Sequence, residues 1–369
     1  MAEAVSAFIT NAGANINRSG FDSAFAAEET VFETRELLCS LFNFSRPENV
    51  VFCLNATAAL NYILKGLLKA GEHCLVSGME HNAVMRPLNQ LAKEGVDFSA
   101  IPCNKKGELL VPEIKGKIRK NTKAFVLTHA SNVSGTIMPL EEAGKICAEE
   151  GLFFIVDAAQ TAGLLPIDFK AIKAHALVFP GHKGLLGPQG IGGFAIEPGL
   201  AEKLTPLLSG GTGSRSESEE QPEYLPDKFE SGTQNLPGIA GLNEALKYIQ
   251  RTGLSAIREK EMLLTKALMD GLDELAGDGR LRILGLAAGV GRTAVVSVDF
   301  FGRDNADVGH ALYTGYGIRT RCGLHCAPRA HKTLGSFPGG SVRISPGFFN
   351  TLEDIDYALF AIAEILKKK

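Results

Sequence analysis

Lys183 stands in FPGHKGLLGPQGIGG, a glycine-rich stretch that follows the apolar run HALVF, and Asp157 ends an upstream apolar run, LFFIVD. A carboxylate closing one buried strand and a lysine just beyond the next suit one cofactor chemistry. The lysine would condense with an aldehyde, while the carboxylate pairs with a protonated ring nitrogen and maintains an electron sink, as pyridoxal phosphate requires. On these two residues alone the plainer reading stays open, because a lysine in a glycine-rich loop is often just solvated. Asp157 has the sharper case. A carboxylate at the end of an apolar run is costly to bury without a charged partner, and a pyridinium would be one.

Further candidates cluster near the C-terminus. Cys326 in RCGLHCAP has Arg321, Gly323, His325 and Arg329 around it, a basic setting of the kind that accompanies nucleophilic thiols, although buried inert thiols are commoner. Arg343 lies in the alternating stretch GSVRISP; its planar fork suits a carboxylate, and a plain strand arginine fits the same pattern. Cys322, His325, Cys326 and His331 also bring four N or S donors close together in sequence. Their spacing matches no common zinc knuckle, and adjacent His325 and Cys326 are awkward to bring to one tetrahedral centre, so no metal is expected. GGTGS at 210–214 has no P-loop lysine after it and no strand before it, which sets nucleotide binding aside.

The elements that must position these residues alternate along the chain. Residues 49–54, 73–78, 124–129, 152–157, 175–180 and 190–196 read as short apolar strands. Leu60, Ile63, Leu64, Leu67 and Leu68 recur at helical spacing, so a helix begins near Thr57, and LEEAGKICAEEG reads as another helix ending on Gly151. Such alternation predicts a mainly parallel sheet covered on both faces. Ligands gather at the carboxyl ends of its strands, where His81, Asn132, Asp157 and Lys183 fall. From about residue 246 a long helical pattern gives way to LRIL, TAVVSVDF, GIRTR and GSVRISP, then a last helix ending in LKKK. The expectation is a large unit over 15–245 and a smaller α+β unit over 246–369, with residues 1–14 packing on the smaller one. The Gly-, Ser- and Glu-rich segment 209–232 reads as an exposed loop.

Bulk properties narrow the classes. The chain has 369 residues, 45% of them hydrophobic, enough for a substantial core. A net charge of −3, 7% aromatic residues and no tryptophan leave no footprint for nucleic acid. No apolar run approaches the roughly 20 residues of a membrane span, and MAEAVSAFITNAG has no basic start of a signal peptide. Seven cysteines without scaffold spacing suit a reducing compartment, and the cytoplasm is expected.

The motifs LNAT, MEHNAV, THASNVSGT, VDAAQTAG, GHKGLLGPQG, FESGTQN, RCGLHCAP and VRIS follow in order from GANINRSG to the C-terminus. Together they resemble the aminotransferase class V family, and within it the cysteine desulfurase and selenocysteine lyase group. The resemblance implies the fold type I of pyridoxal phosphate-dependent transferases, an α/β fold with a mainly parallel sheet of seven-stranded type and a smaller C-terminal α+β domain. It implies that Ala56, Thr57 and His182 bind the cofactor phosphate, with the helix start after Ala56 supplying free N–H groups; a plain N-cap is the alternative. It further implies that His81 stacks on the pyridine ring, that Gln160 bonds the phenolic oxygen, and that Asn132 lies beside cofactor and substrate carboxylate. Thr233 would reach the phosphate of a neighbouring subunit, hence a homodimer. Arg343, with Arg321, would bind the substrate carboxylate, and Cys326 would be the catalytic cysteine on a short, ordered loop.

The reaction so implied converts L-cysteine to L-alanine, with the sulfur held as a persulfide on Cys326 until an acceptor, such as a protein, removes it. The alternatives are selenocysteine lyase, sulfinate desulfinase, another class V aminotransferase, or a binding relative that has lost catalysis. Two departures stand out. Pro180 replaces a hydroxyl residue that often adds a phosphate contact in the family, so a weaker grip is expected. The strand and Asn-Ala-Ala turn that usually precede GANINRSG are missing or much shortened, so the smaller unit is expected to lack a strand.

Overall fold

Short runs rich in Val, Ile, Leu and Phe become strands here because both of their faces are buried. In β4 (Thr122–Thr128), Phe125 and Leu127 enter one core cluster while Ala124 and Val126 enter another, and in β5 (Phe153–Asp157) Phe154 and Val156 oppose Ile155. That two-sided burial is what a parallel sheet between helical layers demands. The computed structural model describes residues 1–16, 20–277 and 279–367. Part of GANINRSG, residues 17–19, and the last two residues of LKKK therefore lie outside the described residues.

The other strands of this sheet are β1 (Val50–Cys53), β2 (His73–Ser77), β3 (Asp97–Ile101), β6 (Ala176–Pro180) and β7 (Gly192–Ile196). They form a seven-stranded sheet in the order β1-β7-β6-β5-β4-β2-β3. Only β7 runs antiparallel to its neighbours. β3 has no signature as an apolar run: it is an edge strand, DFSAI, with a mostly half-exposed pattern. The helix Asp22–Phe42 covers one face, and the helices Ala56–Leu67 and Asn82–Ala92 cover the other.

A second sheet is wholly antiparallel. β8 (Leu281–Leu284), β9 (Val296–Phe300), β10 (Arg321–Gly323) and β11 (Ser341–Ile344) lie in the order β10-β11-β9-β8. It packs through Val296, Val298 and Val342 against the helices Leu254–Ala276 and Leu352–Lys367. Of the expected strand GIRTR only Arg321 is in β10. Gly317 and Ile318 instead close the helix Asn305–Tyr316, Gly317 in the left-handed region (φ 69°) and Ile318 N–H donating to Leu312 O at 3.0 Å.

Residues 1–14, expected against the C-terminal unit, lie instead on the helices Leu236–Thr252 and Asp22–Phe42. Gly241 makes that approach possible, since a Cβ there would sit 2.6 Å from Val5 Cγ2. The loop 209–232 is exposed over most of its length but dives inward at Asp227–Glu230. There Glu230 pairs with Arg35 at 2.9 Å and accepts the Phe52 N–H at 2.7 Å, tying the loop to β1.

Candidate functional site

Parallel strands β4, β5 and β6 deliver their carboxyl ends to one cavity of about 340 Å³. Asp157, the last residue of β5, is 3% exposed, and its Oδ1 accepts the Ala159 N–H at 2.9 Å. Lys183 follows β6 in a turn that needs its glycines. A Cβ on Gly181 would lie 2.9 Å from Ile191 O, and one on Gly184 would lie 2.5 Å from Ala162 O. Burial raises the Asp157 pKa, against the pull of Ala159 N–H and of Lys183. Burial likewise lowers that of Lys183, against Asp157 and with help from Arg343 and Arg321. Although Lys183 carries accessible surface, that surface belongs to a cavity wall, so desolvation dominates its charge.

The helix Ala56–Leu67 opens on the same cavity. Its cap is Asn55 rather than Thr57: the Asn55 side chain accepts the Ala58 N–H at 3.0 Å, and its carbonyl accepts the Ala59 N–H at 3.1 Å. Ala56 and Thr57 line the cavity at the positive end of the helix dipole, suited to an anion. His182 and Gln160 line it too. His182 has its pKa lowered by burial and then by Lys183.

His81 caps the helix Asn82–Ala92, its Nδ1 accepting the Ala83 N–H at 3.0 Å, which leaves the ring proton on Nε2. Burial, then Lys183 and three arginines, push its pKa down to about 4, so the ring is neutral. Glu80 beside it is fully buried, accepting from Ser77 Oγ at 2.6 Å and Thr128 N–H at 3.0 Å, and so pins the ends of β2 and β4 together. Burial pushes its carboxyl up to about 7.

The antiparallel sheet arms the opposite wall. Arg343 of β11 sits directly across from Arg321 of β10. Arg343 Nη1 donates to Asn132 O at 3.0 Å, and its buried Nε has no partner among the described residues. Burial, then Arg321, push Arg343 down to about 10. Two close guanidiniums with an unfilled donor form a binding place for a carboxylate. Asn132 Nδ2 in turn donates to His325 O at 2.7 Å. Arg321 Nη2 donates to Cys326 Sγ at 3.3 Å, and Cys326 O accepts the Asn82 N–H at 2.7 Å. A neighbouring cavity of about 360 Å³ shares Lys183, Arg321 and Asn132 with the first, adds Arg343, and extends to Glu261, Phe348 and Phe349.

The two C-terminal cysteines part company because strand side chains alternate. Arg321 reaches into the cavity, so Cys322 turns away, and its sulfur lies where a Cβ on Gly309 would be, at 2.0 Å. Cys326 is exposed to the cavity. Of the remaining five, burial pushes Cys53, Cys103 and Cys147 up to about 12 and Cys39 to about 11, and it raises Cys74 as well.

Eleven of the twelve residues singled out from sequence line one or both of these adjoining cavities: Ala56, Thr57, His81, Asn132, Asp157, Gln160, His182, Lys183, Arg321, Cys326 and Arg343. Thr233 does not. It lines a separate apolar cavity with Leu207, Leu208 and Phe229, 3.5 Å from Asn15 Nδ2. Asn55, Glu80 and Thr128 escaped the sequence reading. Asn55 was findable as the Asx residue before a helical pattern; Glu80 was not, because nothing in MEHNAV says its carboxyl turns inward. Among the described residues, no group of three or more His, Cys, Asp or Glu could hold a metal ion, and no helix is long and apolar enough to cross a membrane.

A family model described as aminotransferase class-V matches residues 1–358. A protein of Methanothermobacter thermautotrophicus named probable cysteine desulfurase is 32% identical over 98% of this chain and 90% of its own length. The apo structure of a cysteine desulfurase from Thermococcus onnurineus NA1 superposes with a TM-score of 0.92 at 31% identity, covering 100% of this chain and 91% of that one. The crystal structure of the cysteine desulfurase CsdA from Escherichia coli gives 0.88 at 26% identity, over 99% and 91% of the two chains.

Proposed function

This chain belongs to the aminotransferase class-V family, and we propose from that premise that it is a pyridoxal 5′-phosphate-dependent cysteine desulfurase that holds the abstracted sulfur on Cys326. The observation that carries the reading is one continuous site. Lys183 and buried Asp157 stand on one side, and Arg321, Arg343 and an exposed thiol stand on the other.

The donor set fits the cofactor. Asp157 is a buried carboxylate with a cationic neighbour and one backbone donor, suited to a protonated ring nitrogen. The start of the helix after Asn55, with His182, suits a phosphate, and Thr233 would complete that grip across a homodimer. The apolar cavity beside Thr233 would then be part of the subunit contact. When bound, the cofactor supplies an aldehyde for an amine and a ring that draws electrons from the substrate α-carbon.

The chain's residues do the rest. Arg343, braced on Asn132 O, fixes the carboxylate of L-cysteine together with Arg321. Lys183 Nζ, its ammonium form disfavoured by burial, takes the proton from Cα. Neutral His81, held by its cap bond, offers a flat ring and an Nε2 proton beside the reacting atoms. Cys326 Sγ then forms a bond to the substrate sulfur while the Cβ–S bond breaks. The electron pair of that bond stays on Cβ, which takes a proton, and Lys183 Nζ returns the proton to Cα, giving L-alanine and a persulfide on Cys326. Seven free thiols suit a reducing compartment such as the cytoplasm, where a protein acceptor would take the sulfur.

The test is incubation with L-cysteine, quantifying alanine and locating the added sulfur by mass spectrometry. The expected result is stoichiometric persulfide on Cys326, absent in Cys326→Ala. Sulfur on Cys322, with Cys326→Ala fully active, would overturn both the site and the mechanism.

A further inference from the structure

His325 and Cys326 both lie in the left-handed region, at φ 50° and 56°. Residues other than glycine seldom adopt that conformation, and two in succession persist only when their surroundings over-determine them. Backbone contacts supply part of the restraint: Asn132 Nδ2 to His325 O and Asn82 N–H to Cys326 O, each at 2.7 Å. The His325 side chain supplies another kind. It is 2% exposed, and its Nε2 lies 2.9 Å from Ser341 Oγ. Its ring stands 5.4 Å from that of His331, which is itself held by Ser336 Oγ at 2.7 Å. Nδ1 of His325 is buried without a partner among the described residues, so one polar bond orients the whole ring. Burial, with Arg343 next, pushes its pKa down to about 3, so the ring is neutral at neutral pH.

Ser341 begins β11, and Arg343 is two residues on, so both side chains lie on one face of the strand. We propose that His325 is the positioning residue for Cys326: anchored on Ser341, it ties the left-handed loop to the strand that carries the carboxylate-binding Arg343. The distance from thiol to substrate sulfur is thereby set by one strand. This rests on the desulfurase reading above.

The test compares Ser341→Ala, His325→Asn and the double variant in the holoenzyme. Asparagine tolerates the left-handed backbone but is too short to reach Ser341, which separates the ring from the φ preference. Persulfide formation from L-cysteine should slow by roughly tenfold with KM little changed, since displacing a reacting group by a fraction of an ångström is costly. L-selenocysteine, whose selenium departs without a nucleophile, should turn over within about twofold of wild type, and the double variant should be no worse than either single one. Amide exchange of residues 323–327 in the substrate-free protein should quicken in each variant. Equal losses on both substrates, no loss on either, or additive losses would overturn the anchor. If wild type places no sulfur on Cys326, the desulfurase reading fails, and the exchange measurement alone judges the anchor: unchanged exchange rejects it.

Discussion

At the carboxyl ends of β5 and β6 a buried carboxylate stands near an amine on the cavity wall, and the turns holding them are so tight that glycines flank the lysine. Across the cavity, β10 and β11 present two facing arginines, a buried guanidinium nitrogen without a partner among the described residues, and a thiol on a loop in a rarely populated conformation. The parallel half sets a carboxylate against an amine and, on the proposed reading, would be completed by a ring and a phosphate. The antiparallel half carries an excess of positive charge that, on the proposed reading, an anionic substrate would relieve. On the proposed reading, cofactor retention and substrate recognition would reside in different sheets, and single substitutions should separate them.

Lys183→Ala should cause the largest loss. It removes the covalent hold and the base together, so turnover should fall by on the order of 10³-fold or more. Borohydride reduction followed by peptide mapping should place the cofactor on Lys183 in the wild type, and a label on any other lysine would erase the division between the halves. Asp157→Asn should follow, at roughly 10²-fold in kcat with the fold intact, since a neutral isostere cannot stabilise a ring cation. Its signature should be a changed cofactor absorption spectrum. Arg343→Lys should act on the other half: KM for L-cysteine should rise by roughly tenfold, because lysine lacks the planar fork, while that spectrum stays as in wild type. A KM rise in Asp157→Asn, or a spectral change in Arg343→Lys, would break the comparison.

A smaller effect lies in stability. Burial holds His325 at about 3 and His331 at about 4, well under the ordinary histidine value. The unfolded chain gains protons on them below about pH 6.5 while the native protein does not, so stability is full above that pH and declines as pH falls toward 4. Each such histidine contributes up to about 1.4 kcal/mol per pH unit. His331→Gln should flatten the decline in urea unfolding between pH 6.5 and 4.5, and an unchanged slope would mean these rings protonate in the native state.

Most of the parallel half was legible in the chain. Asp157 and Lys183 announced themselves because apolar runs end at strand ends, and strand ends are where a parallel sheet gathers its polar groups. In the antiparallel half, LRIL, TAVVSVDF and GSVRISP were legible as strands, but the part Arg321 plays came only from family resemblance. GIRTR looked like a strand, yet Gly317 and Ile318 went into a helix cap. The edge strand β3 was missed because its half-exposed face carries no apolar run.

By itself, then, the sequence determined the alternating elements, the two-sided burial of the large sheet, and the strand-end and loop positions of Asp157 and Lys183, all consequences of local hydrophobic pattern and glycine placement. Tertiary structure decided what pattern cannot encode. The register of Arg321 against Arg343 turns Cys322 away from the cavity. The reach of Asn132 to the His325 carbonyl joins residues far apart in the chain. The inward fold of Glu80 onto Thr128 pins two strands that are not consecutive in sequence. Each depends on long-range contacts whose partners are set by packing between separate elements, and so none is written in the residues around it.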